Sequence, residues 1–112
     1  MLHIVRQDID ARRIALVLHG RIVGGWAEVL EHESREAILA GFRVVLALTG
    51  VVYIGRSGVE TLRRLAASGV EIIGCSPLIA DMLEHEGIDV ERNPGDASDA
   101  SVPGIGGGSA GA

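Results

Sequence analysis

Ser57 stands in the stretch Gly55-Arg56-Ser57-Gly58-Val59, the one place where this sequence suggests a hydroxyl nucleophile. Acyl transfer by a serine needs a base and a sharp turn that presents the hydroxyl. The G-x-S-x-G elbow has a second glycine where Val59 stands here, so that pattern is broken. No histidine is close in sequence, and His19 is the only distant candidate for a base. A plainer reading makes Ser57 a helix N-cap. Ser57-Gly58-Val59-Glu60 has the spacing of a capping box, in which the serine hydroxyl accepts the amide of Glu60 while Glu60 reaches back. Arg56, just outside such a helix, is a solvated loop residue or an anion- and partner-binding group. His32 and Glu36 are one helical turn apart, but a zinc site needs a third ligand and HExxH is absent. His85, between Glu84 and Glu86, complements the end of a helix dipole. No metal and no cofactor is expected. The single cysteine, Cys75, rules out an internal disulfide and a cysteine-based zinc site, and it reads as a small buried hydrophobe.

Composition narrows the classes further. All ten basic residues are arginine, so a catalytic lysine of Schiff-base or P-loop type is excluded. A net charge of −5 and three aromatics (Trp26, Phe42, Tyr53) argue against a nucleic-acid binder. No apolar run approaches the roughly 18 residues of a membrane span, so no membrane insertion is expected. The first ten residues mix acid and base with no signal-peptide core, which makes a cytoplasmic protein the default. The length of 112 residues suits one domain.

The elements that would position these residues follow from periodicity. Leu2 to Val5 and Ile14 to Leu18 read as strands joined by a polar turn, an N-terminal hairpin. Gly20, Gly24 and Gly25 punctuate a bending loop. Helix one is predicted from about Gly25 to Ala40, burying Trp26, Val29, Leu30, Ala37 and Ile38, with Phe42 beyond them. Its solvated face carries Glu28, Glu31, His32, Arg35 and Glu36, and Gly41 closes it in the left-handed region. The central stretch, Val44 to Leu48 and then Val51 to Ile54, is an apolar strand broken at Thr49-Gly50. It leads into helix two, with Val59, Leu62, Leu65 and Ala66 at helical spacing. Val70 to Gly74 is a third buried strand. Ser76-Pro77 opens helix three with an N-cap and a proline at its first position. Leu78, Ile79, Met82 and Leu83 form its buried face, and Gly87 ends it. Ile88 to Val90 is available for a short edge strand.

The order β-β-α-β-α-β-α describes an α/β fold, a mixed sheet of four to five strands with an N-terminal hairpin and crossover helices. Ligands of such sheets favour the carboxyl ends of the strands, here Gly50 to Gly58. From Arg92 the composition shifts to proline, glycine, serine and alanine. Residues 1–91 are therefore expected to form the domain and 92–112 a flexible tail. The tail's GIGGGSAG lacks the strand and helix that would make it a dinucleotide fingerprint.

From Arg13 to Asp89, about two-thirds of the chain, the sequence resembles a STAS domain. This is the fold of bacterial anti-sigma-factor antagonists and of the cytosolic part of sulfate transporters. The family pattern runs S/T-G-V-x-x-I-D-S-S/T-G-L before a helix. Thr49, Gly50, Val51, Ile54, Ser57 and Gly58 fall on it, and Gly74-Cys75-Ser76-Pro77 with Leu83 matches the ending G-V-S-P-x-V-x-x-x-L. The departures fall at the regulatory positions. Gly55 replaces the family's Asp, and Arg56 its phospho-accepting serine. Ser57 takes the second Ser/Thr, and Ala47 stands where an acidic residue is common. The segment between helix two and the next strand is also shorter than usual.

The resemblance implies a non-enzymatic regulatory module in signal transduction and transcription regulation. It would dock an anti-sigma factor or kinase-like signalling domain through Ile54, Gly55, Arg56, Ser57, Gly58, Val59 and Glu60. Ser57 is the one candidate left for phosphorylation. A weak homodimer stays open. The competing readings are a small-anion or nucleotide sensor using the helix-two amides with Arg56, and a hydrolase using Ser57.

Overall fold

Alternation of apolar side chains along four strands builds the sheet on which everything else rests. The computed structural model describes residues 1–91; the expectations for the tail fall on residues outside these. In chain order the elements are β1 (Leu2–Asp8), β2 (Arg13–Ile22), α1 (Gly25–Leu39), β3 (Arg43–Ile54), α2 (Arg56–Ala67), β4 (Glu71–Ile73) and α3 (Pro77–His85). The four strands lie in the order β1-β2-β3-β4. β1 and β2 pair antiparallel as a hairpin, while β2–β3 and β3–β4 pair parallel. Each helix is thus a crossover or follows the last strand, as parallel neighbours require.

Residues of one parity face the helices. Ile14, Leu16 and Leu18 of β2 and Val44, Leu46 and Leu48 of β3 share one core with Leu30 of α1, Leu62 and Leu65 of α2, and Ile79 and Leu83 of α3. All three helices therefore pack on one face, the outcome expected when consecutive parallel strands are joined by crossovers of one hand. The other parity, including Val5, Val17, Ala47 and Ile73, projects from the opposite face, which none of the three helices covers.

The hairpin, the three helices and the mixed sheet agree with the pattern read from the sequence. Several details differ. β3 is one continuous strand, because the break foreseen at Thr49-Gly50 is absorbed as register shifts against β2 between Val17 and His19 and between Gly20 and Arg21. Gly20 lies inside β2 rather than in a loop. α1 is rotated by about one residue from the predicted face. Ala27, Leu30, Ser34 and Ala37 are its buried residues, whereas Trp26 and Val29 are 38% and 41% exposed. The spacing 27-30-34-37 satisfies helical periodicity better than 26-29-30-37, and a serine in the stripe hides it. In α3, Ala80 is buried where Leu78 was expected, and Leu78 is 74% exposed. Residues 88–91 do not extend the sheet as a strand. They run beside β4, held by Glu91 N–H donating to Ile72 (2.9 Å) and Cys75 N–H donating to Glu91 (3.2 Å).

Helices α1 and α2 are fastened by charge. Glu31, foreseen as solvated, accepts hydrogen bonds from Arg64 (2.9 and 3.1 Å) and from Arg35 on its own helix (3.1 and 3.3 Å). The Arg64 hydrogen bonds, with a further contribution from Arg35, hold the Glu31 carboxyl below the usual glutamate range. A carboxyl whose folded pKa lies below its unfolded value of about 4.3 stabilises fully above that value. The contribution is lost as pH falls through the folded pKa. Glu31→Gln is accordingly expected to lower Tm at pH 7 and to cost progressively less as the pH is brought from 5 to 3. Parallel melting curves of the two proteins across that range test this; a pH-independent gap would remove the ion pairs as its cause.

Ser34 offers a second test. Its hydroxyl is buried and makes no hydrogen bond among the described residues. Ser34→Ala removes an unsatisfied polar group and improves helix propensity, so a gain of roughly 0.5–1 kcal/mol in urea unfolding is expected. A loss would show that a buried water satisfies the hydroxyl.

Candidate functional site

The carboxyl ends of the parallel strands and the helix N-termini that follow them form one edge of the molecule. α2 begins there, immediately after β3. Its N-cap is Gly55, in an extended conformation (φ −83°, ψ 179°) and without a side-chain cap. The capping box expected at Ser57 does not form: Ser57 is already inside the helix and exposed. An N-cap residue must lie outside the helical dihedrals, and the helix starts one residue before the serine. By contrast, Ser76 caps α3 as foreseen, accepting the Ile79 amide at 3.4 Å with Pro77 behind it.

Backbone contacts set the position of this corner. Gly55 N–H donates to the Ile22 carbonyl at 3.0 Å, tying the start of α2 to the end of β2. Gly58 lies on the same carbonyl. A Cβ there would come within 2.6 Å of the Ile22 oxygen and within 3.0 Å of side-chain carbons of Ile22 and Ile54. Only glycine lets the first turn approach so closely. Ile54, Gly58 and Val59 are consequently buried, Gly55 is half-buried, and Arg56, Ser57 and Glu60 face solvent.

Exposed apolar side chains lie on segments that begin or end at this edge. Val52 and Tyr53 at the end of β3 are 70% and 53% exposed, and the tip of the Tyr53 ring lies beside Gly55. Trp26 and Val29 from the first turns of α1 and Leu78 from the first turn of α3 are exposed along the same edge. Apolar residues gathered at one edge mark an interaction surface more often than a scatter of single ones does. A run of hydrophobic residues such as Val51-Val52-Tyr53-Ile54 contains no local signal of which members face out; the register against β2 decides it.

The serine and histidine of the hydrolase reading sit on different elements, Ser57 in α2 and His19 in β2. His19 pairs in register with Gly50, its imidazole lying over the glycine and 6.4 Å from the His3 ring, on the sheet face away from the helices. Among the described residues no hydrogen bond joins Ser57 to a histidine, and neither residue lines the groove at Arg63–Glu91 or the one at Asp10–Arg43. His32 and Glu36 are exposed on α1, and no three His, Cys, Asp or Glu side chains converge among the described residues. Cys75 is fully buried.

Solved structures share this architecture. An anti-sigma factor antagonist from Mycobacterium paratuberculosis superposes with a TM-score of 0.71 at 16% sequence identity, covering 89% of this chain and 93% of that one. The anti-sigma factor antagonist SpoIIAA in its unphosphorylated form gives 0.65 at 16% identity, covering 87% and 94%. A DUF3478-family protein with a SpoIIAA-like fold from Shewanella loihica gives 0.54 at 15% identity, covering 88% and 91%. The chain has the SpoIIAA-like fold of STAS domains. No protein-family model matches the sequence, and no curated protein matches it.

The two serines make opposite predictions. Ser76→Ala is expected to cost about 1 kcal/mol through loss of the α3 cap, whereas Ser57→Ala stays within about 0.5 kcal/mol because no cap is lost. Urea midpoints of the two variants decide this, and a comparable loss at Ser57 would restore the capping role.

Proposed function

We propose that this protein is a non-enzymatic regulatory module of the anti-sigma-factor-antagonist kind. It docks a signalling protein through the corner from Ile54 to Glu60, and no serine phosphorylation governs that docking. The observation that carries the reading is that Arg56 is exposed at the start of α2 while Val52, Tyr53, Trp26 and Leu78, in segments that begin or end at the same edge of the sheet, are exposed as well. A contact surface with aromatic and apolar anchors and an arginine among them has the composition from which protein interfaces draw most of their binding energy. The fold shared with the antagonists above supports an anti-sigma factor or a kinase-like signalling domain as the partner class.

Arg56 sets the regulation. A phosphate on a residue beside a helix N-terminus adds roughly −1.5 to −2 charges, which the helix dipole accommodates. A guanidinium at the same place is a permanent positive charge beside the positive helix end, so it extends into solvent. It is exposed there and makes no ion pair among the described residues. It is thus available to an acidic group of a partner, and the module is constitutive.

Arg56→Glu is expected to weaken partner binding by about tenfold or more while leaving the domain's own stability nearly unchanged, since an acid in the first helical turn is favourable. Calorimetric titration of wild type, Arg56→Ala and Arg56→Glu against the captured partner, at two salt concentrations, measures it. Equal affinities would take Arg56 out of the interface. Stoichiometric phosphate on Ser57 after incubation with a cognate kinase would overturn the constitutive reading.

A further inference from the structure

The opposite edge of the sheet carries a concentration of positive charge that the docking corner does not use. Arg13 and Arg43 open β2 and β3 and are register partners on these adjacent parallel strands, so their side chains leave the same face of the sheet side by side. Like charges placed opposite one another on neighbouring strands are destabilising. Arg12 joins them, because Arg43 N–H donates to the Arg12 carbonyl at 2.7 Å and fastens the hairpin turn to the start of β3. A surface groove runs between these groups, lined by Asp10, Ala11, Arg12, Arg13, Gly41 and Arg43.

Its one carboxylate is already committed. One oxygen of Asp10 accepts the amides of Arg12 (2.8 Å) and Arg13 (2.9 Å), and the other accepts Arg13 Nε at 3.0 Å. These bonds, the Arg12 amide first, hold the Asp10 carboxyl below the usual carboxylate range, so it remains an anion serving the turn. Arg12 and Arg43 make no ion pair among the described residues. Of the charges nearby, Arg6 lies over the Phe42 ring and pairs with Asp8 at 3.6 Å. Glu71 stands opposite Val45, further along β3, and pairs with nothing among the described residues. The groove therefore gathers three guanidinium groups against one carboxylate in a chain whose net charge is −5.

Two further features prepare it for a ligand. The Asp10 turn fixes the backbone of Arg12 and Arg13 before anything binds, which lowers the ordering cost of recognition. Gly41, at φ +96°, has nothing within 4 Å of where a Cβ would stand, so this end of the groove is unobstructed. Planar guanidinium forks pair best with oxyanions that present several acceptor oxygens.

We infer that this groove is an anion-binding site for a phosphate or sulfate group, gripped by Arg12 and Arg43 and bordered by Arg13 on its Asp10 anchor. The excess of two positive charges matches a tetrahedral dianion. Binding relieves the repulsion between Arg13 and Arg43 that the strand register otherwise imposes. The site lies at the amino ends of β2 and β3, the far edge from the α2 corner, and does not depend on the docking role.

The test is an amide NMR titration of the full chain with inorganic phosphate, and separately with sulfate, at constant ionic strength maintained by sodium chloride. Saturating shifts are expected at Arg12, Arg13, Gly41 and Arg43 with both dianions, in the low-millimolar range. The double variant Arg12→Gln/Arg43→Gln should keep a dispersed spectrum and bind at least about tenfold more weakly. Saturation by phosphate but not sulfate would mark a site that recognises the phosphate group in particular. Linear, non-saturating shifts, shifts confined to residues 56–58, or unchanged affinity in the double variant would overturn the assignment.

Discussion

The carbonyl of Ile22 is the contact on which the corner depends. It accepts the Gly55 amide that precedes α2, and it lies so close to Gly58 that no side chain fits between them. One backbone oxygen thereby fixes the end of β2, the exit of β3 and the first turn of α2. The burial of Ile54 and Val59 and the outward aim of Arg56, Ser57 and Glu60 follow from that close approach. A backbone contact suits this task because it is rigid at both ends, whereas a side-chain tether would cost rotamer freedom.

With the corner fixed, the rest of the molecule divides its labour by face and by edge. The three helices share one face of the sheet and bury a core of leucine, isoleucine and valine against it. Because the strands joined by crossovers are parallel, α1, α2 and α3 all begin at one edge, and the exposed Trp26, Tyr53 and Leu78 collect there as a consequence of topology. The turn between β1 and β2 and the start of β3 collect at the other edge, where arginines dominate. A chain with net charge −5 thus presents exposed apolar residues at one edge and a basic groove at the other, while the Glu31 network clamps α1 to α2.

The sequence alone determined the element order, the hairpin, the parallel sheet with crossover helices and the helix stops at Gly41 and Gly87. These depend on local information: apolar alternation, helical spacing and glycine at positive φ. It also determined the Ser76-Pro77 cap, because that signal is complete within four residues. The likeness to STAS domains was legible from Thr49, Gly50, Val51, Ile54, Ser57 and Gly58, and the fold agrees with it. Only the tertiary structure decided which apolar residues of α1, β3 and α3 face outward. Trp26, Val29, Val52, Tyr53 and Leu78 have the composition of core residues, and burial depends on strand register and helix rotation, which no window of neighbouring residues contains. The same holds for Ser57, which has the spacing of a cap. The contact of Ile22 with Gly55 and Gly58, far apart in sequence, goes with a cap at Gly55, two residues before the serine, which is left exposed inside the helix.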